Sequence, residues 1–262
     1  MPIDSMPTGV FFAASVILVV ICIDIGYRTG LIVRRKTQKE KESAVTSITS
    51  SILALLAFIL AFTFGFVSNR FDTRMQLVRD DANAIRTAWM RTDFLPDSDR
   101  SVAKELLKKY VDLRLDLMTK DIDDVPVYIQ KSEEIQHQLW DMAVENAGRD
   151  MNSDVAALYI ESLNQIIEIH ALRIAIGLQM RIPSGIWTIL ISLIIIAMLA
   201  VGYQTAISGS RRTWTIVLLA MAFSLVIVLI AVLDQPKSKF IKVPQQPLID
   251  VQNMISLDQQ AH

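Results

Sequence analysis

The sequence predicts an all-α protein with four transmembrane helices and a long helical-bundle domain inserted between the second and third spans. The first observation is that 52% of the 262 residues are hydrophobic, more than an ordinary soluble domain carries. The second is that residues 43–69, 182–210 and 213–233 contain no charged side chain, and each run exceeds the ~20 residues that a bilayer-spanning helix needs. A fourth apolar run, residues 9–27, contains one charge, Asp24.

Composition excludes several classes of function. The 26 basic and 27 acidic side chains are balanced, which is unlike a nucleic-acid-binding protein. The single cysteine, Cys22, lies in an apolar run, and the three histidines lack the spacing of a metal site. No glycine-rich phosphate loop or nucleophile elbow is present. We therefore expect no enzyme activity, metal, cofactor or nucleic-acid partner, with an intramembrane enzyme as a remote alternative.

The first segment, residues 1–47, is expected to hold the first transmembrane helix and a basic cytoplasmic loop. The residues before the apolar run contain no lysine or arginine, so we expect a retained anchor rather than a cleaved signal peptide. Basic residues follow this run, and Arg211 and Arg212 lie in the other short loop. The positive-inside rule then places both loops in the cytoplasm. Both termini and the bundle are expected on the opposite side.

The second transmembrane helix, residues 48–67, is expected to continue into the water-facing bundle, residues 68–183. Apolar residues recur at helical spacing beyond the membrane: Phe71, Met75, Val78, Ala82, Ile85 and Trp89. At 1.5 Å per residue, a helix from position 48 to position 92 is roughly 65 Å long. The bundle segment carries 15 basic and 20 acidic side chains, a composition typical of packed amphipathic helices.

Three further helices complete the predicted bundle. The second bundle helix follows Leu95-Pro96 and has the apolar stripe Val102, Leu106, Tyr110, Leu113 and Leu117. The third ends at a turn over residues 146–150, and the fourth runs from Asp154 toward Pro183 and the next span. His170 falls on the apolar stripe of the fourth helix, where we expect a buried neutral histidine that is hydrogen-bonded to a neighbouring helix.

The remaining segments are a third transmembrane helix (184–203), a short basic loop (204–213), a fourth transmembrane helix (214–233) and a C-terminal tail (234–262). Asp24 and Asp234 lie at span ends, where a carboxylate costs less than at the bilayer centre. For Asp24, the membrane-embedded acid, interfacial solvation is favoured over an ion or proton site.

Short motifs are scattered along the chain, among them Asn83-Ala84-Ile85, Ser162-Leu163-Asn164 and Leu233-Asp234-Gln235-Pro236. Together they resemble a family of bacterial membrane proteins that is labelled a domain of unknown function and is also called bestrophin-like. The resemblance covers nearly the whole chain and implies functional importance for a set of motif residues. Gln235 and Lys239 depart from the family pattern, in which arginine and glycine are expected. The family-motif candidates are Asn69, Asp72, Arg74, Asn83, Asn164, His170, Arg173, Asp234 and Pro236.

Residues 65–74 are similar, more distantly, to the end of the second membrane helix of true bestrophins. Bestrophins are pentameric anion channels whose second helices line a hydrophobic neck, and the resemblance implies such a pore here. Phe58, Phe62 and Phe66 are spaced four residues apart on one helix face, which suits stacked apolar rings that gate a pore by dewetting. Plain packing within the membrane is the alternative explanation of this stripe. Bestrophins keep their helical domain in the cytoplasm, whereas the charge bias predicts the opposite side.

Together with the resemblance, these observations predict a non-enzymatic, homo-oligomeric protein of the bacterial inner membrane that conducts small anions through a pore lined by the second span. Its other partner is the lipid bilayer. The alternative is a membrane-anchored scaffold or sensor whose helical bundle binds a partner protein.

Overall fold

The computed structural model describes residues 7–36, 42–149, 153–209, 214–235 and 240–261. These residues form eight α-helices and no strand, which confirms the all-α class. The helices are α1 (Thr8–Lys36), α2 (Glu42–Arg91), α3 (Asp97–Asp116), α4 (Val125–Arg149), α5 (Asp154–Ile174), α6 (Ser184–Ile207), α7 (Thr215–Asp234) and α8 (Gln246–Ala261). Among the described residues, four helical segments are long and apolar enough to cross a membrane: Thr8–Lys36, Glu42–Phe94, Asp154–Ile207 and Thr215–Asp234.

The chain divides into two compact units. The membrane unit comprises Met1–Phe71 and Arg181–Ile241, and the bundle unit comprises Asp72–Met180 and Lys242–His262. Helix α2 is continuous and contributes its first part to the membrane unit and its last part to the bundle unit.

Close packing of α1 on α6 organises the membrane unit. A Cβ atom added at Gly26 would lie 2.1 Å from the carbonyl oxygen of Leu199, and one at Gly202 would lie 2.1 Å from the carbonyl oxygen of Ile23. Neither site has room for a side chain, so the two backbones touch. Small residues permit this approach in membranes, where packing rather than the hydrophobic effect drives helix association.

The bundle unit has its own apolar core. Val78, Ala82, Ile85 and Trp89 of α2 are buried, as the predicted stripe requires. They belong to one cluster with residues of α3, α4 and α5, among them Leu107, Tyr110, Leu139, Tyr159, Leu163 and Ile166.

The predicted apolar stripe of α3 is correct in part, since Leu106 and Leu113 are half-buried against the bundle core. Val102 is 48% exposed, and the buried face consists of Ala103, Leu107, Tyr110, Val111 and Arg114. Tyr110 belongs to both stripes. The small Ala103 and the charged Arg114 were not chosen from the sequence because larger apolar side chains flank them.

Two other boundaries differ from expectation. The predicted turn at 146–150 is absent from its described part, because α4 remains helical to Arg149. Helix α5 does not run directly into α6, since it ends at Ile174 and a single π-helical turn, Ala175–Gln179, is followed by extended residues up to Pro183. Proline disfavours helical geometry in the residue before it, which explains why α6 begins only at Ser184.

The C-terminal tail contains a helix that the sequence analysis missed. Leu248, Val251 and Ile255 of α8 are completely buried in the bundle core. The helix packs on α3, and Lys104 of α3 forms a 3.0 Å ion pair with Asp258. Apolar residues at helical spacing are the sequence signal for this helix. The part of the tail from Lys242 onward therefore belongs to the bundle unit.

Candidate functional site

The phenylalanine face of α2, defined as Phe58, Phe62 and Phe66, points away from the rest of its own chain. These side chains are 66%, 70% and 51% exposed. Leu56, Leu60 and Val67 lie on the opposite side of the helix and are buried in the membrane unit. The fold therefore leaves a continuous aromatic surface available to lipid, to a pore or to another subunit.

A buried ion pair lies next to the phenylalanine face and joins Arg70, one helical turn after Phe66 on α2, to Asp234. Arg70 Nη1 donates to Asp234 Oδ1 at 2.8 Å, and the backbone N–H of Ile182 donates to the same oxygen at 3.0 Å. The Arg70 guanidinium also lies 4.8 Å from the centroid of the Phe66 ring. Asp234 thus connects α2, the end of α7 and the segment before α6, and breaking this pair would leave a buried charge without compensation.

A second buried ionic cluster lies in the bundle unit. The Asp81 carboxylate is fully buried and forms ion pairs with Arg173 and with Arg114, the latter at 3.3 Å. Next to it, Gln136 Nε2 donates to the Tyr110 hydroxyl at 3.2 Å, and burial raises the pKa of Tyr110 to about 12. One carboxylate therefore forms ion pairs with two guanidinium groups, and its loss would leave both of them buried without a partner charge.

His170 lines an open cleft of about 590 Å³ between α4 and α5. Its side chain is 4% exposed, and neither ring nitrogen has a hydrogen-bond partner among the described residues. Glu133 Oε1 lies 3.8 Å from His170 Nε2. Burial, assisted by the charge of Arg114, lowers the pKa of His170 to about 4. The ring is therefore neutral at pH 7, but the expected hydrogen bond to a neighbouring helix is not formed.

The cleft is lined by polar and apolar groups from both helices and from the turn after α5. The lining residues are Glu133, Gln136, His137, Trp140, Asn164, Ile167, His170, Ala171, Ile174, Ala175 and Gln179. It brings Asn164 and His170, both predicted from the family motifs, to one surface.

The other candidates are dispersed. Asn69, Asp72 and Asn83 are exposed on α2, whereas Arg74 is buried. Pro236 lies outside the described residues. Asp24 Oδ2 accepts a 2.6 Å hydrogen bond from Arg28 one helical turn away, an arrangement that suits an interfacial carboxylate.

Sequence reasoning missed several charged and polar partners. Asp81 and Arg114 each interrupt an apolar helix face, and that interruption was the available signal. Glu133 and His137 are four residues apart on α4 and therefore share a face, but their proximity to His170 depends on tertiary packing. Within the described part of the chain, no group of three His, Cys, Asp or Glu side chains is arranged to hold a metal ion.

The sequence matches a known protein family. The family model of the bestrophin-like domain matches residues 14–248. No curated protein sequence matches the chain significantly.

Solved structures share the fold over nearly the full length. A variant of a bacterial bestrophin homolog from Klebsiella pneumoniae is 14% identical, with a TM-score of 0.63, and the match covers 96% of this chain and 98% of that chain. A second solved structure, of a variant of a membrane protein, is 16% identical with a TM-score of 0.65. The match covers 95% of this chain and 96% of that chain. The family match extends over most of the sequence, and the chain belongs to the bestrophin-like domain family.

Proposed function

We propose that the protein is an oligomeric anion channel whose pore is lined by α2 from each subunit. The observation that carries this proposal is the phenylalanine face of α2, which is exposed in the single chain. Membership of the bestrophin-like family and the likeness to a bacterial bestrophin homolog support a channel as the general function.

The spacing of the three phenylalanines suits a pore constriction. Residues four apart on a helix lie about 6 Å apart along its axis and on nearly the same face. In a symmetric oligomer, Phe58, Phe62 and Phe66 would form three successive apolar rings. Such rings stop ion flow when water leaves the space between them, and a small widening restores conduction.

The chemistry of the same face is compatible with anions. An aromatic ring has a negative face and a positive edge, so phenylalanine edges directed at a pore axis attract anions. The Arg70 guanidinium against the Phe66 ring places a fixed cation at one end of the face. Its ion pair with Asp234 holds it there and moderates its charge.

We further propose that the protein resides in the inner membrane with the segment boundaries and the topology that the sequence predicts. The bundle, residues 68–183, is inserted between the second and third spans, and it shares the non-cytoplasmic side with both termini. Arg34, Arg35 and Lys36 at the end of α1 support this orientation, because basic residues next to a span are retained in the cytoplasm.

The test is ion flux through purified full-length protein in sealed liposomes. We expect halide efflux above that of protein-free vesicles and above the potassium efflux of the same vesicles. Efflux that does not discriminate halide from potassium would contradict an anion channel. Complete absence of flux from folded, inserted protein, together with a specific co-purifying protein, would favour the scaffold or sensor.

A further inference from the structure

The cleft between α4 and α5 has the dimensions of a small-molecule site. Its volume of about 590 Å³ falls within the ~300–1,000 Å³ that such sites occupy. It lies entirely within the bundle unit, so it is separate from the phenylalanine face, and an inference about it does not depend on the channel proposal.

His170 gives the cleft an unused hydrogen-bonding group. Buried polar side chains are ordinarily hydrogen-bonded, because desolvation without a partner is unfavourable. The His170 side chain is nevertheless 4% exposed, with no hydrogen bond to either ring nitrogen from any described residue. A ligand in the cleft would provide the missing partner.

The charge of the cleft selects the ligand class. Glu133 is the one charged side chain among the lining residues, and its carboxylate is half-exposed. Arg114 and Arg173 lie near His170 but do not line the cleft, and Asp81 offsets one of their two positive charges. An anionic ligand would therefore meet a carboxylate, whereas a cation would find an opposite charge.

The two acceptors are close enough to share one donor group. Glu133 Oε1 and His170 Nε2 are 3.8 Å apart, which is too long for a direct hydrogen bond. An ammonium nitrogen carries several N–H groups, so it can donate to both atoms at once. A neutral imidazole accepts through one ring nitrogen, and the lowered pKa of His170 keeps it in this form at pH 7.

The remaining walls of the cleft suit an organic body. Trp140, Ile167 and Ile174 provide apolar surface, and Asn164 adds an amide at the exposed margin. We propose that the cleft binds a small organic ammonium ion, with its charged nitrogen between Glu133 and His170 and its apolar body against Trp140.

Calorimetric titration of the full-length protein in detergent tests this proposal. The probes are phenethylammonium and 3-phenylpropionate, which share a phenyl ring and a short chain but carry opposite charges near neutral pH. We expect saturable binding of phenethylammonium at up to millimolar concentration and no binding of 3-phenylpropionate. No saturable heat from phenethylammonium, or tighter binding of the carboxylate, would overturn the proposal.

Paired substitutions on α4 locate the binding. Glu133→Gln should weaken phenethylammonium binding about tenfold or more, because it removes a charge-assisted hydrogen bond. Glu134→Gln is the matched control, since Glu134 is exposed, pairs with Gln130 and does not line the cleft. Glu133 is itself on the surface, so its substitution does not endanger folding. Equal binding by the two variants would overturn the assignment.

His170→Leu supplies an independent check. Leucine fills a similar buried volume but cannot accept a hydrogen bond, so phenethylammonium binding should weaken about tenfold while the protein stays folded. Unchanged affinity in a folded His170→Leu protein would exclude the ring from the site. If that variant does not fold, the Glu133 and Glu134 pair still decides the outcome.

Discussion

Asp81 is the acid that pairs with the two buried arginines of the bundle unit. Its carboxylate faces Arg114 and Arg173, and no other acid is paired with either of them among the described ion pairs. Asp81→Asn keeps the shape but removes the charge, which leaves two guanidinium groups without compensation. We expect a loss of about 3–5 kcal/mol in unfolding free energy, as for other broken buried pairs, measured by denaturant unfolding in detergent.

The neighbouring Asp80 provides the control for this prediction. Asp80 accepts a hydrogen bond from Gln76 near the surface, so Asp80→Asn should change stability by less than about 0.5 kcal/mol. Similar stability losses in the two variants would show that the buried cluster does not contribute as described.

His170 should make stability depend on pH. Burial lowers its pKa from 6.5 to about 4, with Arg114, Arg173, Asp81 and Glu133 as the surrounding charges. The unfolded chain then binds more protons than the folded chain between these values, so stability falls as the pH decreases from about 6.5 to about 4. Between pH 7 and pH 5 the wild type should lose about 2 kcal/mol more than His170→Leu. Thermal or denaturant unfolding at both pH values measures this difference, and parallel pH curves would contradict it.

For individual residues, the sequence predicts the buried face of a helix better than it predicts which charged side chains form ion pairs. The α2 stripe was correct because Val78, Ala82, Ile85 and Trp89 stand out against charged neighbours. His170 and Arg173 were identified through family motifs. Asp81, which pairs with Arg173, was not identified, and neither was Arg114, the second partner of Asp81. These residues come from helices that are distant in the chain and meet only through tertiary packing.

At the element scale, the α1–α6 contact is the most sensitive packing in the membrane unit. A Cβ at Gly202 would meet the Ile23 carbonyl oxygen at 2.1 Å and the Tyr27 nitrogen at 2.8 Å. Both are backbone atoms, so the helices must move apart. We expect Gly202→Ala to cost about 1–3 kcal/mol, as overpacking does, and to lower the thermal stability of the detergent-solubilised protein.

Gly185 of the same helix is the control for Gly202. A Cβ there meets no atom within 4 Å, and alanine favours helix more than glycine does. Gly185→Ala should therefore leave thermal stability unchanged or slightly raised. A stability loss as large as that of Gly202→Ala would mean that close α1–α6 packing is not the cause.

Helix existence was more predictable from the sequence than helix continuity or the role of the tail. The long apolar runs predicted membrane-spanning helices because each is long enough to cross a bilayer. A helix also satisfies its backbone hydrogen-bonding groups internally, as the lipid environment requires. The break between α5 and α6 depends on Pro183 and a π-helical turn, which apolar periodicity does not reveal. The apolar spacing of α8 predicts a helix, but its contact with α3 depends on tertiary packing, which the sequence alone does not reveal.

At the scale of the whole molecule, family and fold class were accessible from sequence, whereas assembly was not. Scattered motifs led to the bestrophin-like family, which the match over residues 14–248 confirms. A pore, by contrast, is formed by surfaces that meet between subunits. The phenylalanine face is such a surface, since its side chains contact little of their own chain.

Single-channel recording of Phe62→Ala shows whether α2 lines an ion pore. Removing the middle aromatic ring widens the apolar constriction, so halide conductance or open probability should rise several-fold. Ile189→Ala is the control, because Ile189 is 66% exposed on α6 and lies outside the phenylalanine face. We expect altered halide currents in Phe62→Ala alone. Currents in Phe62→Ala identical to those of wild type and Ile189→Ala would contradict a pore lined by α2.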